Sequence, residues 1–261
     1  MNITDLIKVP YTTRPSMVKN VGPVFNKTPD PSYIQKKKKQ LVLFAEDLVA
    51  VTDPTLVEKV QEELGKPVDG NIVNLALELE EDIAIMKNGV LSAICFCFPS
   101  GWIPRTAIGK SLAEIHKPVA DGDHLRSVSG KLTKTMADPV LGSFRRGVWT
   151  ITKVPSLSCH PSIIDCYKNE EINLHTLFFR YEEQTTLPFK NGNGSVFFVK
   201  VNVLPLVKVW KEHKDLILES INSMSDSVLQ YKNLVEIKQF LNSNRVETNE
   251  NISDIRLTSW A

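Results

Sequence analysis

Residues 82–98, D-I-A-I-M-K-N-G-V-L-S-A-I-C-F-C-F, leave this chain few choices of fold. Two apolar runs, 82–86 and 90–98, flank Lys87-Asn88-Gly89, and Asn-Gly between such runs is the strongest short-range hairpin signal. In the second run Ile94, Phe96 and Phe98 would line one face and Ala93, Cys95 and Cys97 the other. A strand apolar on both faces has to be covered on both, by helices or by a cofactor.

Helical patterns precede the hairpin. Residues 33–49 read as a helix with Lys36-Lys37-Lys38-Lys39 on its wet side, and four lysines without interleaved aromatics are a weak nucleic-acid signal. Asp53-Pro54 has the chemistry of a helix start, Leu56, Val57, Val60 and Leu64 supply the stripe, and Gly65 ends it. Ile72, Leu75, Ala76 and Leu79 predict a third helix over 71–79. Prolines 10, 15, 23, 29 and 31 make residues 1–32 an extended arm.

Strands return at 144–152, 176–185 and 195–203, the last two joined by Asn191-Gly192-Asn193-Gly194. Residues 126–136 read as a polar connection of undefined form, and 155–161 as a loop. Helices follow over 207–224 and 227–241. The expected fold is α+β, an antiparallel sheet with N-terminal and C-terminal helices packed on it. One domain over 1–261 would comprise the arm, helices over 33–80, a sheet core over 82–205, helices over 206–245 and a polar tail over 246–261.

A net charge of +1 provides no field for nucleic acid or an anionic membrane, and no apolar run is long enough to span a bilayer. Residues 1–5 lack the parts of a signal peptide, and four irregularly spaced cysteines suit a reducing compartment, so the expected location is the cytoplasm.

Two stretches could carry chemistry. Ser111-Leu112-Ala113-Glu114 fits a capping box, and Pro118 limits the helix it starts. His116 then shares a face with Leu112 and Ile115, as a metal ligand held by a second hydrogen bond would, or as an ordinary packed histidine would. In the strand around 180–185, Arg180, Glu182 and Gln184 share a face opposite Phe179 and Tyr181. They could wall a polar pocket, with Arg180 suited to a carboxylate, or face solvent as an ion-paired strand. Among the other histidines, His160 and His213 read as solvated, His175 could point either way, and His124 earns interest from its nearness to His116. Cys95-Phe96-Cys97 reads as buried small hydrophobes.

The order of several short motifs adds to this. F-P-S-G-W (98–102), I-G-x-x-L-x-x-I-H-x-P-V (108–119), R-x-x-V-W-T-I (145–151), R-x-E-x-Q-T (180–185), L-P-L (204–206) and Y-K-N-L (231–234) resemble the haem-dependent oxidative N-demethylase α-subunit family. The resemblance spans roughly residues 11–241, and its specific part is the block from Phe98 to Val119. It implies a PAS-like sheet holding haem b, with iron on His116, and oxidation by O2 of a small secondary amine such as dimethylamine, releasing formaldehyde. It also implies electrons from NADPH through a separate reductase subunit carrying FMN and an iron–sulfur cluster. Carried to this chain, the resemblance makes Arg180 a propionate anchor and has Glu182 and Gln184 shape the catalytic side. Trp102 and Trp149 would lie near the haem edge. The family usually has Asn where this chain has Val148, and Leu where it has Thr186. A haem-binding PAS sensor without turnover, or a haem-free scaffold, are the other expectations.

Overall fold

The computed structural model of the protein describes residues 2–243. Seven strands form one antiparallel sheet: β1 (Val18–Lys19), β2 (Val49–Val51), β3 (Asp82–Lys87), β4 (Val90–Cys95), β5 (Phe144–Thr152), β6 (Phe178–Pro188) and β7 (Gly194–Pro205). Their order is β1-β5-β6-β7-β3-β4-β2, so the long strands are two hairpins and a single strand joined through the β3–β7 pairing. The β3–β4 turn has Asn88 at φ 51° and Gly89 at φ 84°, the left-handed geometry that Asn-Gly tolerates best. Gly194 answers a different demand. A Cβ there would stand 2.1 Å from the Met86 carbonyl oxygen, so β7 approaches β3 only because the side chain is missing.

Helices α1 (Ile3–Leu6), α2 (Pro31–Leu48), α3 (Pro54–Leu64) and α4 (Ile72–Leu77) precede the hairpin; α5 (Leu112–Ile115), α6 (Asp123–Met136) and α7 (Pro161–Tyr167) lie between strands; α8 (Leu206–Asn222), α9 (Asp226–Tyr231) and α10 (Val235–Ser243) follow β7. The core divides along the sheet. One cluster joins α3 and α4 to β3, β4 and β7, and includes Phe96, Cys97 and Phe98, which are buried as the two-sided pattern requires. The other packs α8–α10 on Trp149, Ile151 and Phe179 of β5 and β6. Each such buried side chain contributes roughly 1.5–3 kcal/mol. The expected tail over 246–261 lies outside the described residues, among which no helix is long and apolar enough to cross a membrane.

Three expectations are corrected. The lysine run is not all wet, because Lys37 is fully buried and donates to the carbonyls of Ala76, Leu79 and Glu81 at 2.7, 3.1 and 2.7 Å. Those carbonyls close α4 and lead into β3, where acceptors lack helical partners and attract a cation. Residues 126–136 are not an undefined connection but most of α6, whose inner face carries Leu125, Ser129 and Met136 at helical spacing. Residues 1–32 are largely irregular, yet α1 and β1 interrupt them, and the arm is fastened to the sheet where Thr185 Oγ1 donates to the Val24 carbonyl.

Candidate functional site

The capping box forms. Ser111 Oγ accepts from the Glu114 amide, and Glu114 Oε2 accepts from the Ser111 amide at 2.8 Å. This closes a single turn, α5, with His116 as its C-cap. Arg126, one turn into α6, covers the far end: its Nη1 lies 3.5, 3.4 and 3.3 Å from the carbonyls of His116, Lys117 and Val119. His116 is held at both ends of a turn too short to be stable alone.

The imidazole Nδ1 lies 2.9 Å from the Leu112 carbonyl oxygen. A carbonyl can only accept, so Nδ1 carries the proton and Nε2 keeps a lone pair. Burial, and to a lesser degree the nearby Arg146 guanidinium, push the His116 pKa down against the opposing pull of Leu112. The result is a neutral ring at pH 7 with one donor nitrogen free, oriented as ligating histidines are.

Pairing of β5 with β6 sets Arg146 opposite Gln184, Val148 opposite Glu182 and Thr150 opposite Arg180, on one face of the sheet. Arg180 is buried and saturated at both terminal nitrogens. Its Nη1 donates to Ser100 Oγ at 2.6 Å and Glu182 Oε1 at 2.9 Å, and its Nη2 to the carbonyls of Phe98 at 2.9 Å and Leu157 at 3.3 Å. Glu182 also accepts from Ser100 Oγ and from Gln184 Nε2 at 2.8 Å. Burial alone would raise its pKa; Arg180, Ser100 and Gln184 outweigh it and hold the carboxyl below the usual range.

Arg146 differs from Arg180. Its side chain makes no hydrogen bond or ion pair with any described residue and is half-buried; a buried Nε without a partner is common to both arginines, so the difference lies at the terminal nitrogens. Burial depresses its pKa, while Glu182 and Tyr11 pull it back up. Lys232, at the α9–α10 junction, donates to the Trp149 carbonyl at 2.9 Å and lies over the Tyr11 ring, 5.6 Å from its centroid. Desolvation by burial drives its pKa down to about 8, with Glu182, Arg180 and Arg146 close enough to contribute. Tyr11 is pushed up to about 12, mainly by burial. One carboxylate, Glu182, therefore faces three cations: Arg146, Arg180 and Lys232.

Of the residues singled out from sequence, Arg180, Glu182 and Gln184 come together as one bonded group, with Ser100 from the F-P-S-G-W motif. Trp149 does not join them. It belongs to the opposite face, stacked on Phe179 at 5.4 Å, because neighbouring residues of a strand alternate sides. Trp102 packs edge-on against Phe96 at 5.8 Å, in the other core cluster. His124 is exposed and lines a separate cavity of about 230 Å³ beside Tyr11 and Asp121. His160 is buried rather than solvated: it stacks on Phe44 at 4.2 Å, contacts Asp47 Oδ2 at 3.2 Å and caps α7. Arg146, Lys232 and Tyr11 were missed. Period-two counting from Val148 puts Arg146 on the Glu182 face; Lys232 stands in the Y-K-N-L motif, but nothing local shows that it reaches β5 from the far end of the chain.

The sequence pattern of the family described as haem-dependent oxidative N-demethylase, alpha subunit-like matches residues 48–242. The chain belongs to this family. No curated protein matches it. The alpha-subunit-like description carries haem dependence and oxidative demethylation as family properties.

The residues of this N-demethylase relative fit such a group. Among the described residues no cluster of three or more His, Cys, Asp or Glu could hold a bare metal ion. Haem iron needs less, since the porphyrin supplies its own nitrogens and one imidazole suffices. A neutral imidazole with a free Nε2 would suit the iron of a haem, and a half-buried guanidinium whose Nε lacks a partner would suit its carboxylates.

Proposed function

We propose that the chain binds haem b through His116 Nε2 and acts as the oxidising subunit for a small secondary amine, of which dimethylamine is the type. The observation that carries this reading is the His116–Leu112 hydrogen bond, which leaves a neutral, partly buried imidazole with one free nitrogen within the field of Arg146. When bound, haem supplies iron for the redox chemistry of dioxygen. A secondary N-methyl amine, dioxygen, an electron pair and its protons give a primary amine, formaldehyde and water. The electrons come from NADPH through a separate subunit carrying FMN and an iron–sulfur cluster, in keeping with the alpha-subunit-like description.

The chain's own residues bind and orient. Glu182 is kept ionised and rotationally locked by Arg180, Ser100 and Gln184, and a carboxylate with about four acceptor sites retains one for a substrate N–H. Gln184 holds Oε2 in position, and Val148 places an apolar side chain opposite Glu182 against a methyl group. A PAS-like core is supported by the neighbouring of β3 and β7, which closes the long strands into one sheet with a hairpin on each side. A soluble, cytoplasmic subunit is in keeping with the composition.

Val148 also favours a second reading, haem binding without turnover, because an apolar residue stands where the family usually has Asn. Absorption spectra of the purified chain test the first step. The expected result is a Soret band that shifts or vanishes in His116→Ala; a protein that stays colourless after haem reconstitution defeats both readings. Amine-dependent oxygen uptake with an added reductant then separates them, and no uptake across small secondary amines leaves the binding protein.

A further inference from the structure

The two arginines of the polar face are not equivalent, and the difference assigns them different work. Arg180 has four protein partners at its terminal nitrogens, tying β6 to Ser100 and to the carbonyls of Phe98 and Leu157. The Arg146 side chain has none among the described residues; its Nε, like that of Arg180, is cut off from water, while the side chain as a whole is half-buried. Lys232 has the Trp149 carbonyl and the face of Tyr11, neither of which carries a compensating charge. A cation withdrawn from water without a counter-charge is expensive, and chains keep one where a ligand supplies the missing anion. Glu182 offsets one of the three cations and is already taken by Arg180. The surplus is two positive charges, at Arg146 and Lys232, both beside Tyr11 of the N-terminal arm.

We propose that Arg146 and Lys232, not Arg180, form an anion cradle for the dicarboxylate edge of a bound tetrapyrrole, with Tyr11 as its outer wall. This rests on the haem reading and adds to it which atoms hold the propionates. The surplus charge matches a dianion, and the guanidinium of Arg146 has donors to spare in the planar geometry that carboxylates take. Arg180 is a positioning residue that shapes the pocket through Ser100 and Glu182.

The test compares haem with haem dimethyl ester, whose carboxylates are neutral, by titration of the full chain followed in the Soret band and by tryptophan quenching. Wild type should prefer haem by roughly tenfold to a hundredfold for each carboxylate engaged. Arg146→Met and Lys232→Met should each remove about tenfold or more of that preference and leave the Soret position unchanged, with Arg146→Lys recovering part. Circular dichroism checks that the variants fold. Equal affinity of wild type for haem and its ester overturns the cradle, as does an Arg146→Met chain that keeps the full preference. His116→Ala reports separately: it should alter the spectrum and spare the preference. An unaltered spectrum refutes ligation by His116 while leaving the cradle standing. A wild-type chain that takes up neither compound overturns both.

Discussion

Replacing Lys37 by methionine removes one cation from the middle of the protein and keeps the length of the side chain. The ammonium lies 2.7, 3.1 and 2.7 Å from the carbonyl oxygens of Ala76, Leu79 and Glu81, 3.5 Å from that of Glu80, and 3.5 Å from Asp82 Oδ1. Asp82 is itself fully buried, and its Oδ2 accepts from the Phe98 amide at 2.8 Å. Three short charge-assisted bonds are worth about 1.5–3 kcal/mol each, but desolvating the ammonium takes back several kcal/mol. Breaking a buried pair by removing one member costs about 3–5 kcal/mol, because the remaining groups stay buried without a partner. In a chain of this size that is a fall in Tm of roughly 6–20 °C, set against a total stability of about 5–15 kcal/mol. Urea unfolding followed by circular dichroism and tryptophan fluorescence measures it. Lys36→Met and Lys38→Met, on exposed neighbours, are the controls and should stay within about 0.5 kcal/mol of wild type. A loss below about 1 kcal/mol for Lys37→Met would show that the carbonyl cage is not stabilising. The double variant with Asp82→Asn should lose less than the sum of the two single changes, since the second no longer strands a charge.

Glu182→Gln should destabilise the protein at neutral pH. Its folded-state pKa is below its unfolded value, so its contribution is present above the unfolded pKa and lost as pH falls through the folded one. Wild type and variant should therefore converge on acidification below about pH 4.5, and parallel curves would refute the ionised assignment. Lys232→Met should stabilise the haem-free chain at pH 7. A lysine depressed to about 8 opposes folding while charged, and the opposition fades as pH rises from about 8 towards the unfolded pKa. The gain, on the order of 2 kcal/mol, should shrink across that window; no change with pH would count against the buried cation. Ser111→Ala removes the cap of the turn that carries His116. It should cost about 1 kcal/mol and weaken haem uptake, measured by thermal unfolding and Soret titration, and unchanged affinity would uncouple that turn from the ligand.

The parts of the fold legible in the sequence are those written in local pattern. The Asn88-Gly89 hairpin, the Asp53-Pro54 helix start and the Ser111–Glu114 capping box need only neighbouring residues, and each forms as the pattern demands. The Arg180–Glu182–Gln184 face is also local, being period two along one strand. What escaped depends on distant partners. Lys37 looks like its solvated neighbours until the end of α4 arrives to cage it, and His160 looks like a loop residue until α2 brings Phe44 and Asp47. The helix α6 was partly legible, since Leu125, Ser129 and Met136 recur at helical spacing, but its polar composition hid the stripe. The side taken by Trp149 needs one register: its pairing with Tyr181 and its stacking on Phe179 set it towards the C-terminal helices, opposite Arg180 and Glu182.

The buried charges separate structure from function more sharply than the motifs do. Lys37 and Arg180 are buried charged groups, and the charged end of each is enclosed by partners from the protein itself. Their charged ends are held by the protein, the Arg180 Nε excepted, and their removal should be felt in stability before anything else. Arg146 and Lys232 are half-buried and, among the described residues, have no such set of partners, so the folded chain is penalised for holding them. Both lie at the same place, between the outer edge of β5 and the arm at Tyr11, within the field of the same carboxylate. A penalty concentrated at one point beside a neutral histidine is what a site prepared for an anionic prosthetic group requires, since the ligand's binding energy offsets a cost already incurred in folding. On the cradle reading Arg180 belongs to the wall of that site, and Arg146 and Lys232, whose charges no described residue balances, would meet the ligand.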